Sequence, residues 1–153
     1  MGQTGLSSRI KLMTYYTKET SLKVAILGLN CDYTDITDPF SFSNAIGNLS
    51  VTVSGSDNDN ITLENGRYVL YAIPYCSTTA AVSFILQTNQ NGSFQNIGDN
   101  GTIPITTDGT GQNSAAVASL TVHESCQIRL VLTALGGAAT DIGGYIRIMR
   151  SRL

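Results

Sequence analysis

Residues Ala115–Leu153 read AAVASLTVHESCQIRLVLTALGGAATDIGGYIRIMRSRL. Three apolar runs, Val117–Val122, Gln127–Leu135 and Tyr145–Arg150, are separated by short polar or glycine-rich breaks. In the second run Ile128, Leu130 and Leu132 alternate with Arg129, Val131 and Thr133. In the third, Tyr145, Ile146 and Ile148 alternate with Arg147 and, less cleanly, Met149. Side chains that leave opposite faces at successive residues are the mark of strands. Leu135–Gly144 carries four glycines in ten residues, which no helix interior tolerates cheaply. These strands need sheet partners, and the rest of the chain must supply them.

Working back towards the start, Ala80–Thr88 sets Val82, Phe84 and Leu86 against Ser83, Ile85 and Gln87, and Asn89–Gly92 follows as a hairpin turn. Ile61–Cys76 reads as a short strand, a tight turn at Glu64-Asn65-Gly66, and a long strand over Arg67–Tyr75. Both faces of that long strand are apolar, so it belongs in the middle of the architecture, and Pro74 marks where its ladder ends or bulges. Asn48–Val53 puts Leu49, Val51 and Val53 on one face. Ser54–Asn60 is a turn. Ser21–Leu29 reads as a strand buried on both sides, and Arg9–Tyr16 as another strand. Asn96–Asn113 reads as loop with a short strand near Thr102–Thr106 and a bend at Asp108–Gly111. Residues 1–8 are small and polar and read as a flexible N-terminal arm, leaving 9–153 as one domain. About ten short strands with regular turns give an all-β, antiparallel jelly-roll β-sandwich.

Composition narrows the function. Charged residues make up 13% of the chain, against the roughly 25% usual in soluble domains. A surface so poor in charge suits contact with other protein. The net charge of −2 gives no electrostatic basis for binding nucleic acid, and no apolar run is long enough to span a membrane. The first residues lack the apolar core of a secretory signal, so synthesis in a reducing cytosol is expected. Cys31, Cys76 and Cys126 are an odd number at wide spacing and read as free thiols, not as a disulfide framework.

Asn65-Gly-Arg-Tyr68 with the apolar strand after it resembles the Gly-x-Tyr strand entry of the tumour necrosis factor and complement globular-head superfamily. The segment from Leu120 to Leu130 and then Gly143-Gly-Tyr-Ile-Arg-Ile148 is similar to the closing hairpin of that superfamily, with His123-Glu-Ser125 where a Gly-Asp step is usual. The resemblance spans roughly residues 48–153. It implies a jelly roll that assembles as a three-fold homotrimer and has no catalytic residues. Compact viral versions, phage proteins among them, serve as capsid decorations, fibre heads and receptor-binding tips.

Tyr68, Tyr71 and Tyr75 on one strand, and Tyr145 near the chain end, are candidates for the trimer interface, since tyrosine buries a large ring while keeping a wet hydroxyl. Gln3, Leu6 and Arg9 are the candidate capsid contacts. Asp57 and Asp59 are weak calcium candidates in a turn whose composition already accounts for them, and Asp32, Asp35 and Asp38 form a second acidic spacing. His123 has only Glu124 and Cys126 near it in sequence and reads as a turn histidine. No nucleophile elbow, cofactor motif or buried acid pair is legible, so no catalytic residue and no cofactor is expected. Arg147, Arg150 and Arg152 have two readings: ion pairs with a neighbouring subunit or shell, or a solvated strand end. The expectation is a viral structural protein at the virion surface. It would be a capsid decoration or cement homotrimer that stabilises the shell by binding the major capsid protein. The alternative is the receptor-binding head of a phage tail or head fibre, recognising a host glycan or protein.

Overall fold

The structure is a computed structural model that describes residues 22–30, 39–76, 81–104, 113–136 and 142–151. The arm at 1–8, the expected strand at Arg9–Tyr16, Cys31, Asp32, Asp35, Asp38, the bend at Asp108–Gly111 and Arg152 lie outside the described residues, and so do Gln3, Leu6 and Arg9.

The described residues form eleven strands: β1 (Lys23–Asn30), β2 (Ser41–Phe42), β3 (Ile46–Gly47), β4 (Thr52–Ser54), β5 (Asn60–Leu63), β6 (Gly66–Cys76), β7 (Ala81–Thr88), β8 (Gln95–Ile103), β9 (Ala116–Val122), β10 (Cys126–Gly136) and β11 (Ile142–Ser151). Among the described residues there is no helix. All pairings are antiparallel. One layer runs β3–β1–β11–β6–β9 and the other β4–β5–β10–β7–β8. A single pairing, Asp99 with Val117, joins β8 to β9 and links the two layers along one side. This is the jelly-roll sandwich that the alternation predicts.

The core is filled by every second residue. Ala25, Ile148, Leu70 and Ala118 form one buried row across the first layer, and Leu27, Ile146, Ala72 and Ala116 form the next. The second layer opposes them with larger groups: Ile128, Leu130 and Leu132 on β10, and Val82, Phe84 and Leu86 on β7. Phe40 meets Phe84 edge to face, with ring centroids 6.3 Å apart. The alanines of the first layer, at 25, 72, 116 and 118, alternate with Leu and Ile and leave room for larger groups opposite, as close packing requires.

Several expectations change. The tight turn at Glu64-Asn65-Gly66 is present between β5 and β6 but closes no hairpin, because β5 pairs with β4 and β10 while β6 pairs with β11 and β9. The turn carries the chain from one layer to the other. His123-Glu-Ser125 does the same between β9 and β10, so the closing segment is not a hairpin either. Asn65 ties the two crossings together: its Nδ2 donates to the His123 carbonyl at 2.8 Å, and its own carbonyl accepts from Arg150 Nη2 at 2.6 Å. By contrast, Asn89–Gly92 is a true hairpin turn, with Gly92 N–H donating to the Asn89 carbonyl and β7 paired to β8.

In the stretch read as loop, Asn96–Ile103 belongs to strand β8, which runs from Gln95 to Ile103; the short strand expected near Thr102–Thr106 is its end at Thr102–Ile103, and residues 105–112 lie outside the described residues. Its sequence QNIGDNGTI shows no alternation, because its partner β7 and a bulge opposite Phe84–Leu86 dictate its course. Strand character near Leu49 begins only at Thr52. Leu49 is nevertheless buried, and its N–H donates to the Val24 carbonyl. At Pro74 the ladder with β9 has already stopped, two residues earlier at Ala72, whereas the ladder with β11 continues to Cys76. The Pro74 carbonyl takes its hydrogen bond from the Asn113 side chain at 3.1 Å. β1 is fully buried only on its Ala25, Leu27, Leu29 side, and Val24 and Ile26 are half-covered on the other.

Candidate interaction surface

The outward side of the β1–β11–β6–β9 layer is apolar. Partners directly opposite in a sheet share a face, so the register gives its rows. One row is Val24, Met149, Val69 and Ser119. The next is Ile26, Arg147, Tyr71 and Val117, and beyond it stand Gly28, Tyr145 and Ile73. Tyr75 follows at the end of β6. Tyr75 is 61% exposed, Tyr145 40% and Val69 37%. At the other end Leu22, Val69, Leu120 and Met149 line an open groove of about 500 Å³. An apolar surface continuous over three strands is what a covered sheet carries, not a solvated one.

The outward side of the other layer is polar along Arg129, Gln87 and Asn96, while Ile85 and Val131, paired with each other farther along the same side, are buried. Arg129 Nε donates to Gln87 Oε1 at 2.8 Å, and Gln87 Nε2 donates to Asn96 Oδ1 at 2.8 Å. Gln127 and Thr62 stand in register beside them. Arg129 also lies over the Phe94 ring, 4.0 Å from its centroid, and covers that face of the aromatic. What this side leaves open to solvent is amide and hydroxyl, whereas the first layer leaves Val69, Tyr75 and Tyr145 exposed.

The candidate tyrosines divide. Tyr71, Tyr75 and Tyr145 are on the apolar outward surface. Tyr68 is not. It is 3% exposed, faces the core, and its hydroxyl donates to the Glu64 carbonyl at 2.7 Å. Positions 68 and 71 are three apart on a strand and must face opposite ways, and a side chain already covered by its own chain has no area left for a neighbour. Sequence reasoning passed over Ile26, Val69, Ile73, Val117 and Met149 as contact residues. The two-sided apolar pattern of β6 was their signal.

Charge on this surface is confined to its end and its centre. Arg67 lies in the outermost row, paired with Thr121. Arg147 lies in the middle, with its guanidinium 5.4 Å from the Tyr71 ring centroid. Its Nε is buried without a hydrogen-bond partner. Arg150 points the other way, capping the core beside Tyr68 and bonding Asn65.

Asp57 and Asp59 sit in the β4–β5 turn, where Asn58 has φ 55° and Asp59 Oδ1 accepts from Asn60 Nδ2 at 3.0 Å. Among the described residues no three His, Cys, Asp or Glu side chains gather as a metal-binding group. His123 and Glu124 are exposed in the crossing turn. Cys126 is a buried free thiol.

No protein-family model matches the chain, and no curated protein sequence matches it. Solved structures do. Murine APRIL at pH 5.0 superposes with a TM-score of 0.53 at 12% identity, covering 84% of this chain and 99% of that one. The globular domain of zebrafish complement 1qA gives 0.50 at 9% identity, covering 84% and 97%. The Eiger TNF of S. frugiperda gives 0.50 at 12%, covering 84% and 92%. The fold is the jelly roll of the tumour necrosis factor and complement globular-head kind.

Proposed function

We propose that the protein is a non-enzymatic assembly module. Three copies bury the outward surface of the β1–β11–β6–β9 layer against one another and leave the polar layer outside. The observation that carries this is the contrast in what the two outer surfaces leave uncovered: Val69, Tyr71, Ile73 and Met149 on one, Thr62, Gln87, Asn96 and Gln127 on the other, where the apolar Ile85 and Val131 are already buried. Cyclic closure of the copies covers the apolar surface completely and prevents open polymerisation. The jelly-roll likeness and the low charge of the chain support the same reading.

The place we assign to the trimer is the outside of a virus capsid, as decoration or cement held by residues 1–8 and Arg9 on the major capsid protein. Three weak contacts acting together give such a trimer firm occupancy. The competing assignment is a fibre head that recognises a host glycan. The loops after β7 offer one aromatic, Phe94, and Arg129 already occupies one of its faces.

Light scattering tests the assembly. The wild-type chain is expected at the mass of three copies, and Tyr71→Asp at the mass of one. A wild-type mass of one chain at micromolar concentration rejects the reading. Binding to purified capsids, with and without residues 1–8, tests the location. Glycan-array binding in the absence of capsid binding favours the fibre head.

A further inference from the structure

We infer that Arg147 pairs with Asp99 of the next copy, and that this pair fixes the register in which the subunits meet. The inference rests on the trimer reading and goes further by naming the contact.

Arg147 stands in the central row of an apolar surface. Among the described residues it makes no hydrogen bond or ion pair, its Nε is buried and orphaned, and its one neighbour of note is the Tyr71 ring. As a half-covered group it still keeps part of its hydration. Once a second copy lies on this surface that water is gone, and an uncompensated buried charge is strongly destabilising. Assembly therefore demands an anion at this height.

The described carboxylates are few. Asp57 and Asp59 belong to the β4–β5 turn, and Glu64 and Glu124 to the two crossing turns. Asp99 alone lies in a strand beside the apolar surface. It is exposed and pairs with Val117, so it extends the row Ile26–Arg147–Tyr71–Val117 by one strand. Within one chain the two residues are three strand spacings apart, about 14 Å, with Tyr71 and Val117 between them. They do not meet.

Rotation brings them together. In a closed ring each subunit offers two different surfaces, one to each neighbour. The apolar sheet is one of them. Its β1 side is occupied, because β2 and β3 pair there and Asn48 Oδ1 accepts from Val24 N–H at 2.8 Å. Across the sheet from β1 lies the β8–β9 corner, where Asp99 is exposed, and this is the side we assign to the neighbour. We place the rotation axis along the strands; such an axis preserves height, so the corner residue of a given row arrives at the same row of the next copy. Asp99 then faces Arg147. A guanidinium–carboxylate pair closed off from water is directional and penalises every other register.

The test is a charge exchange read by sedimentation equilibrium. Arg147→Glu and Asp99→Arg are each expected to weaken trimerisation by about tenfold or more, and the double variant is expected to regain most of that loss. Arg147→Met and Asp99→Asn, which remove charge without adding any, are measured alongside, and their effects should be non-additive. Circular dichroism of every variant should keep the strand spectrum, since both side chains point away from the core. An Asp99→Arg trimer as tight as wild type, or a double variant no better than the worse single one, overturns the pairing. A wild-type chain that never trimerises overturns the trimer reading itself, so the two failures are told apart.

Discussion

Burial pushes the Tyr68 phenol above its ordinary 10.0 and the Cys126 thiol above its ordinary 9.0. Desolvation is the main cause for both. The Arg150 charge works against it at Tyr68, and a hydrogen bond from Thr88 works against it at Cys126. The folded chain thus keeps protons that the unfolded chain releases in alkali. The stability this contributes is whole below the ordinary values and is lost as pH rises through the raised ones. The urea midpoint should hold steady from about pH 6 to 8.5 and fall by about pH 10.5. Tyr68→Phe and Cys126→Ala should each flatten that fall, and a midpoint unchanged in alkali would contradict the assignment. The inward direction of Tyr68 was legible, because its parity matches Leu70 and Ala72. Its loss as a contact residue follows from that same parity, which tyrosine's frequency at interfaces had obscured.

At the scale of elements, strand identity was legible wherever a buried side alternates with a half-covered one, as in β7, β10 and β11. Strand partnership was not. Asn65-Gly66 fixes a tight reversal, but which ladder each flanking strand joins depends on residues far along the chain. Only the Thr102–Ile103 end of β8 was read as strand, for a related reason: its backbone is held by neighbours, and five of its nine residues are Gly, Asn or Asp. Gly98 is central there. It has φ 70°, and a Cβ at this position would meet the Val117 carbonyl oxygen and the Ala118 backbone. β8 can close onto β9 only through a residue without a side chain. Gly98→Ala should therefore cost about 1–3 kcal/mol in chemical unfolding and open the seam between the layers. Faster amide exchange around Val117 would report it, and a neutral outcome would show that the seam adjusts freely.

For the whole molecule, the sequence made the sandwich readable because core rows need strict periodicity. It did not make the outer surfaces readable, since an outward Val69 or Met149 looks like core until the register is known. Arg147 was visible as an odd cation, but Asp99 lay in a stretch with no pattern, so their shared row emerged only from the ladders. An assembly that buries the apolar surface ties folding to concentration. The melting temperature should rise with protein concentration for the wild type and stay constant for Tyr71→Asp, and a concentration-independent wild type would mean that the chain is stable alone. The order of pairing also bears on how the chain is made. β11 lies between β1 and β6 and is the last of the eleven strands to leave the ribosome. Until translation has passed it, β1 and β6 each present a bare edge with nothing to zip against. The first layer therefore closes only after β11 is available to fill the gap between β1 and β6.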